Sequence, residues 1–314
     1  MVYGFFYQQV AFFRIFFVIL QNIMETQNKE IIGEHYIDTA SLLANKGVKL
    51  PKVLVGLIDR LLHVGELNAG IYTLRDYEGL DFVHKFLESD DPHCLGTTTE
   101  IVGAENIPAE GNPIVAGNHP LGGPDGLALM GSVGRYRKDI LFPVNDFLMY
   151  LPGLRSLFVP IDKVHRNAGY TSGLEEAFAG QNTLLYFPAG ACSRRQKGEI
   201  KDLEWKPTFV KKAIRYQRDI VPFYFDARNS NRFYRIANLR KRLGIKFSFE
   251  MALLPGEMYG QKGNTFHLTI GKPIPWQTFD ANHSAREWAA MLREHTYRLK
   301  DDPNAEFKDV KIKK

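Results

Sequence analysis

Pro113-Ile114-Val115-Ala116-Gly117-Asn118-His119-Pro120-Leu121-Gly122-Gly123-Pro124-Asp125-Gly126-Leu127-Ala128-Leu129-Met130 decides how this chain folds. Its first four residues form an apolar run with the look of a buried strand. Pro124 suits the first position of a helix, and the apolar residues from Leu127 to Met130 continue that helix. Between them lies a loop rich in glycine, in which Gly122 and Gly123 let the backbone turn sharply and approach a ligand closely. The loop and the helix start carry a histidine, His119, and a carboxylate, Asp125. Histidine is the side chain whose ordinary pKa lies nearest neutrality, so it suits taking a proton from a hydroxyl. A carboxylate nearby fixes the imidazole in one tautomer and stabilises the imidazolium that forms.

The same strand-then-helix rhythm continues on both sides. Strands are expected at 98–102, 113–116, 140–144, 158–161, 183–187, 220–225, 246–252 and 265–270. Helices are expected at 125–134, 168–179, 206–216 and 229–243. A last helix, 284–300, opens with a capping box of Ser284 and Glu287 and buries Trp288, Met291, Leu292, His295 and Leu299. Short apolar runs alternating with amphipathic helices predict an α/β fold, a mixed central sheet flanked by helices, with reactive groups in loops at strand ends.

Residues 30–95 read as helical, broken near Gly47 and Pro51. The hydrophobic stretch 1–24 is interrupted by Gln8, Gln9 and Arg14, and its unbroken run from Ile15 to Leu20 is too short to span a bilayer. It reads as an interfacial anchor, as a start artefact, since Met24 opens a polar stretch, or as an ordinary core helix. The expected division is 1–24 hydrophobic segment, 25–95 helical subdomain, 96–276 core, and 277–314 final helix and tail.

A net charge of +5 favours anionic partners such as phospholipid surfaces or an acyl carrier protein. The two cysteines, Cys94 and Cys192, make neither a disulfide framework nor a zinc site. The remaining histidines are scattered without ligand spacing, so no metal site is expected. No standard nucleic-acid motif is present, and no nucleic-acid partner is expected.

Asn118-His119 followed by an aspartate after a short loop resembles the glycerolipid acyltransferase family, which includes glycerol-phosphate and lysophosphatidic acid acyltransferases. The family separates its histidine and aspartate by four residues; here there are five. Leu184 to Arg195, with Phe187-Pro188-Ala189-Gly190 at its centre, resembles the family's Phe-Pro-Glu-Gly block, with Ala189 in place of the glutamate. Gly153 to Lys163 and Val221-Pro222-Phe223 resemble two further blocks, in the family's order. The resemblance implies His119 as general base and Asp125 as its orienting partner. It implies a substrate-binding surface from Asn118, Gly122, Gly123, Lys163, Phe187, Pro188, Gly190, Ser193, Arg194 and Arg195. The two arginines are expected to hold an anion, either the acceptor's head or the carrier's phosphopantetheine. Backbone amides of the Gly190 to Ser193 loop are candidate donors to a developing oxyanion.

The activity so implied is O-acyl transfer from an acyl carrier protein or coenzyme A thioester to the hydroxyl of a lyso-glycerophospholipid such as lysophosphatidic acid. No cofactor is expected beyond that co-substrate. With no serine or cysteine nucleophile in a recognisable elbow, direct transfer is the simpler route. Two alternatives stand beside it: a lyso-aminolipid acceptor (an ornithine or glycine lipid precursor), and a non-catalytic membrane-binding protein of the same fold. The stretch from Arg228 to Lys246 holds seven basic residues and no acidic one. Arg232, Arg235, Arg240 and Arg242 alternate with Phe233, Ile236 and Leu239, a basic amphipathic helix suited to an anionic bilayer surface, with a solvated helix packed on the sheet and a contact to RNA or a carrier protein as the other readings. The expected location is therefore the cytoplasmic face of a membrane, peripheral or weakly anchored, with membrane lipids as partners.

Overall fold

The computed structural model describes residues 37–44, 49–144, 148–149, 151–160, 168–245 and 248–308. The hydrophobic segment 1–24 and Lys163 lie outside them.

The strands are β1 (Thr98–Val102), β2 (Ile114–Gly117), β3 (Ile140–Val144), β4 (Phe158–Pro160), β5 (Thr183–Tyr186), β6 (Arg194–Gln196), β7 (Glu199–Lys201), β8 (Ile220–Asp226) and β9 (Thr265–Ile270). Seven of them form one sheet in the order β1-β9-β8-β2-β5-β3-β4. Every neighbouring pair is parallel except β8 and β9. β2 is buried at all four positions, as a central parallel strand covered on both faces must be. Its side chains alternate between two cores. Val115 joins Leu129, Val133, Leu185 and Phe223 on one side; Ile114 and Ala116 join Leu184, Phe209, Trp288 and Leu292 on the other.

The helices are α1 (Thr39–Ala44), α2 (Lys52–Leu61), α3 (Val64–Thr73), α4 (Gly79–Glu88), α5 (Pro124–Gly134), α6 (Ala168–Ala179), α7 (Thr208–Tyr216), α8 (Asn231–Arg242), α9 (Leu254–Tyr259) and α10 (Ala285–Arg298). Val83 and Leu87 of α4 share a core with Leu129 and Val133 of α5, which anchors the N-terminal helices to the sheet. The fully buried Arg218 closes the far end of α6, donating to the carbonyls of Ala177, Phe178, Gly180 and Asn182 at 2.6 to 3.0 Å. Those carbonyls have no helical partner of their own. α10 carries the expected box: Ser284 Oγ accepts from the Glu287 amide at 3.3 Å, and Glu287 Oε2 accepts from the Ser284 amide at 2.8 Å.

Two elements differ from the sequence expectation. Of the strand expected at 246–252, residues 246–247 lie outside the described residues, and Phe249–Leu253 is instead a 3-10 turn that leads into α9. The Glu250 carboxylate turns fully inward to meet two arginines, and Pro255 starts the next helix, so the alternation there is not that of a sheet. The β6–β7 hairpin is additional. Lys197 and Gly198 both take positive φ (49° and 91°), the backbone of a tight two-residue hairpin turn. Among the described residues, no helix is long and apolar enough to cross a membrane.

Candidate active site

The site lies where β2 and β5 end side by side. At Gly117 a Cβ would stand 2.2 Å from the Phe223 carbonyl oxygen, so only glycine lets β2 close against β8 there. Asn118 then continues the pairing with its side chain: Nδ2 donates to the Phe225 carbonyl at 2.9 Å, and Oδ1 accepts the Phe225 amide at 2.7 Å. Asn118 is thus a buried brace between strands, and it turns the chain off the sheet at His119.

His119 Nδ1 meets Asp125 Oδ2 at 2.9 Å. Asp125 is fully buried in the first turn of α5. Its Oδ2 also accepts the amides of Leu121 (2.8 Å) and Gly122 (3.3 Å), and its Oδ1 accepts that of Gly126 at 3.0 Å. The extra residue in the loop does not separate the pair, because Gly122 absorbs it in a left-handed turn at φ +93°. A Cβ there would press to 2.8 Å on Leu254. Burial disfavours the Asp125 charge, yet His119 and the two loop amides outweigh it and hold its carboxyl below the usual range. Burial likewise disfavours a charged imidazole, but Asp125, helped by Asp202, raises the His119 pKa above its ordinary value. The Phe187 ring stacks on the imidazole at 4.0 Å and 17°. No described residue bonds Nε2, and the His119 side chain is 16% exposed. The imidazole is thus locked at one nitrogen and open at the other, which suits a general base.

Asp202 was not singled out in the sequence. Its Oδ1 accepts the His119 amide at 3.1 Å and Ser193 Oγ at 2.6 Å, and its Oδ2 accepts Trp205 Nε1 at 2.8 Å. Burial pushes its pKa up against these bonds. The Ser193 amide donates to the His119 carbonyl at 2.7 Å, and the Gly190 amide to the Phe187 carbonyl at 3.0 Å. Two of the four amides expected to face an oxyanion are therefore engaged within the scaffold. Ser193 and Pro188 are buried, while Gly190 and Gly123 are exposed. Cys192 is fully buried, and burial pushes its thiol up to about 11, which suits packing rather than nucleophilic attack.

Arg194 requires correction as an anion-binding residue. It is buried, with Nη2 on Glu250 Oε1 at 3.0 Å and Nη1 on the Cys192 carbonyl at 2.6 Å. Arg195 is half-buried over the Tyr234 ring and donates to Asn231 Oδ1 at 2.7 Å. The expected membrane helix is corrected at two positions. Phe233 is completely buried beneath Arg194, and Arg240 turns in to Glu250 Oε2 at 2.9 Å. Arg232, Arg235, Leu239 and Arg242 are exposed, and Ile236 is half-buried. Glu250 carried no signal in the sequence pattern, since Arg194 lies 56 residues away and Arg240 sits on a different element. No group of three or more His, Cys, Asp or Glu side chains among the described residues has the arrangement of a metal site.

Comparison with known proteins adds to this geometry. Residues 39–306 match the family model described as "Acyltransferase". A lyso-glycine lipid O-acyltransferase of Phocaeicola vulgatus is 43% identical, over 84% of this chain and 95% of that protein. One of the same name from Bacteroides thetaiotaomicron is 42% identical, over 84% of this chain and 97% of that protein. Among solved structures, the 1-acyl-sn-glycerophosphate acyltransferase of Thermotoga maritima has 18% identity and a TM-score of 0.43, over 73% of this chain and 81% of that one.

Proposed function

The chain belongs to the acyltransferase family, and from that premise we propose that it transfers a fatty acyl group from a thioester to the hydroxyl of a lyso-aminolipid, a lyso-glycine lipid in particular. It is an O-acyltransferase of lipid metabolism, as its relatives are, which sets aside a non-catalytic membrane protein of this fold. The acceptor named for both relatives moves the reading from lysophosphatidic acid to the aminolipid. The observation that carries the mechanism is the His119 imidazole, fixed through Nδ1 to a buried carboxylate and open at Nε2.

In that mechanism the acceptor hydroxyl gives its proton to His119 Nε2 as its oxygen bonds to the thioester carbonyl carbon. Asp125 holds the imidazole in place and offsets the charge it gains. The tetrahedral adduct collapses by breaking its C–S bond, and the departing thiolate takes the proton back from His119. No acyl-enzyme is formed. The donor is acyl carrier protein or coenzyme A. Peripheral docking on the cytoplasmic face of a membrane would use the exposed Arg232, Arg235, Leu239 and Arg242 of α8, where basic and apolar side chains meet.

The test is transfer of a labelled acyl chain from each donor to a panel of lyso-glycine lipid, lyso-ornithine lipid and lysophosphatidic acid. Preferred transfer to lyso-glycine lipid is the expected result. Equal or better transfer to lysophosphatidic acid would return the acceptor to the phosphate class.

A further inference from the structure

We infer that the Lys206 ammonium receives the acceptor's carboxylate; this rests on the acceptor class proposed above. An N-acylated glycine keeps its carboxylate, and a cation on the rim of the site is the strongest partner for it. Among the described residues, the two arginines of the Phe-Pro-Ala-Gly-Ala-Cys-Ser-Arg-Arg run are poorly placed for this: Glu250 occupies Arg194, and Asn231 holds Arg195.

Lys206 fits the requirement. Its amide donates to the Pro188 carbonyl at 3.0 Å, which fixes it to the loop that follows β5. Its Nζ lies 3.1 Å from where a Cβ on Gly190 would stand. Gly190 has φ +64°, a left-handed conformation that favours glycine, so the ammonium hangs over bare backbone. Lys206 is exposed, and no described carboxylate pairs with it. The acids nearby in sequence are taken: Glu204 pairs with Arg286, and Asp202 is buried under three donors. The loop itself supplies none, because Ala189 stands where the resembling block has glutamate. The segment that carries Lys206 is also tied to the loop that carries His119. Trp205, beside it, donates to the same Asp202 carboxylate that accepts the His119 amide. The base and the cation are thus set on one frame, as recognition of a hydroxyl and a carboxylate in one molecule requires.

The experiment measures kcat and KM of the full-length protein for lyso-glycine lipid, its neutral carboxamide and lysophosphatidic acid. Wild-type protein should prefer the acid to the carboxamide. Lys206→Met should lower kcat/KM for the acid roughly tenfold, mainly through KM, and leave the carboxamide unchanged. Lys206→Arg should restore most of the preference. An unchanged acid-to-carboxamide ratio in Lys206→Met, with wild-type transfer intact, would overturn the inference alone. A Lys206-dependent preference for lysophosphatidic acid would overturn the carboxylate as the ligand. Absence of transfer to any acceptor by the wild-type protein would instead overturn the proposed function.

Discussion

Two buried ionic clusters stand close together in this protein, and they differ in one respect. His119 and Asp125 meet across a short loop, and the imidazole keeps one nitrogen open. Arg194, Glu250 and Arg240 meet across three separate elements: β6, the 3-10 turn and α8. There the Glu250 carboxylate is fully buried between two guanidinium groups, and the side chains of Arg194 and Arg240 are only 10% and 16% exposed. Both clusters remove charge from water, which is tolerable only when each charge has an opposite partner. What separates a reactive pair from a structural clamp is therefore an uncovered atom, not the presence of charge. The clamp holds α8 and the 3-10 turn against the loop that carries Cys192 and Ser193. The pair leaves its imidazole 16% exposed, with Nε2 unbonded by any described residue.

That contrast can be broken at several points. Glu250→Ala should have the largest effect, about 3–5 kcal/mol of lost stability in chemical denaturation, because it strands the buried Arg194 and the partly buried Arg240. The folded fraction should retain transfer activity, with its acid limb moved if at all to lower pH, since the uncompensated Arg194 opposes a charged His119; a stable variant without transfer activity would reverse the roles of the clusters. Asp125→Asn should slow transfer roughly a hundredfold while leaving some turnover. It should also move the acid limb of the pH–rate curve. Asp125 raises the His119 pKa, so in the wild type the neutral base is lost as pH falls through a value above the ordinary imidazole range. Removing the carboxylate's charge should shift that limb to lower pH, and a fixed limb would show that His119 is not the titrating base. Arg218→Met leaves the α6 carbonyls without donors and should cost about 2 kcal/mol, read as a lower thermal midpoint with the pH profile unchanged. Arg235→Ala, on the exposed face of α8, should have the smallest effect. It should weaken binding to anionic vesicles by about 1 kcal/mol, and binding to neutral vesicles not at all.

The sheet was legible because its strands are short apolar runs, and all seven form at the expected places. The dyad was legible because His119 and Asp125 lie on one strand–loop–helix unit, where spacing alone implies proximity. The clamp was not. Arg194 and Arg195 look alike in sequence, and only the inward turn of Glu250, 56 residues beyond Arg194, distinguishes them. The same carboxylate turns inward from the 3-10 turn at Phe249–Leu253, where the sequence pattern reads as a strand. Asp202 escaped notice because it lies 83 residues from His119 and bonds its backbone rather than its ring. The Lys197-Gly198 turn did carry a local signal, a glycine where φ must be positive. On α8 the basic amphipathic pattern was legible, but its inner edge was not. Periodicity cannot tell an arginine that faces a bilayer from one that faces Glu250.

The most direct test compares acyl transfer to lyso-glycine lipid by wild-type protein and by His119→Ala, with folding of each confirmed by circular dichroism. An open Nε2 acting as general base predicts a loss of about 10²- to 10⁴-fold in kcat, with the fold retained. A folded His119→Ala protein that transfers within a few-fold of the wild-type rate would contradict it.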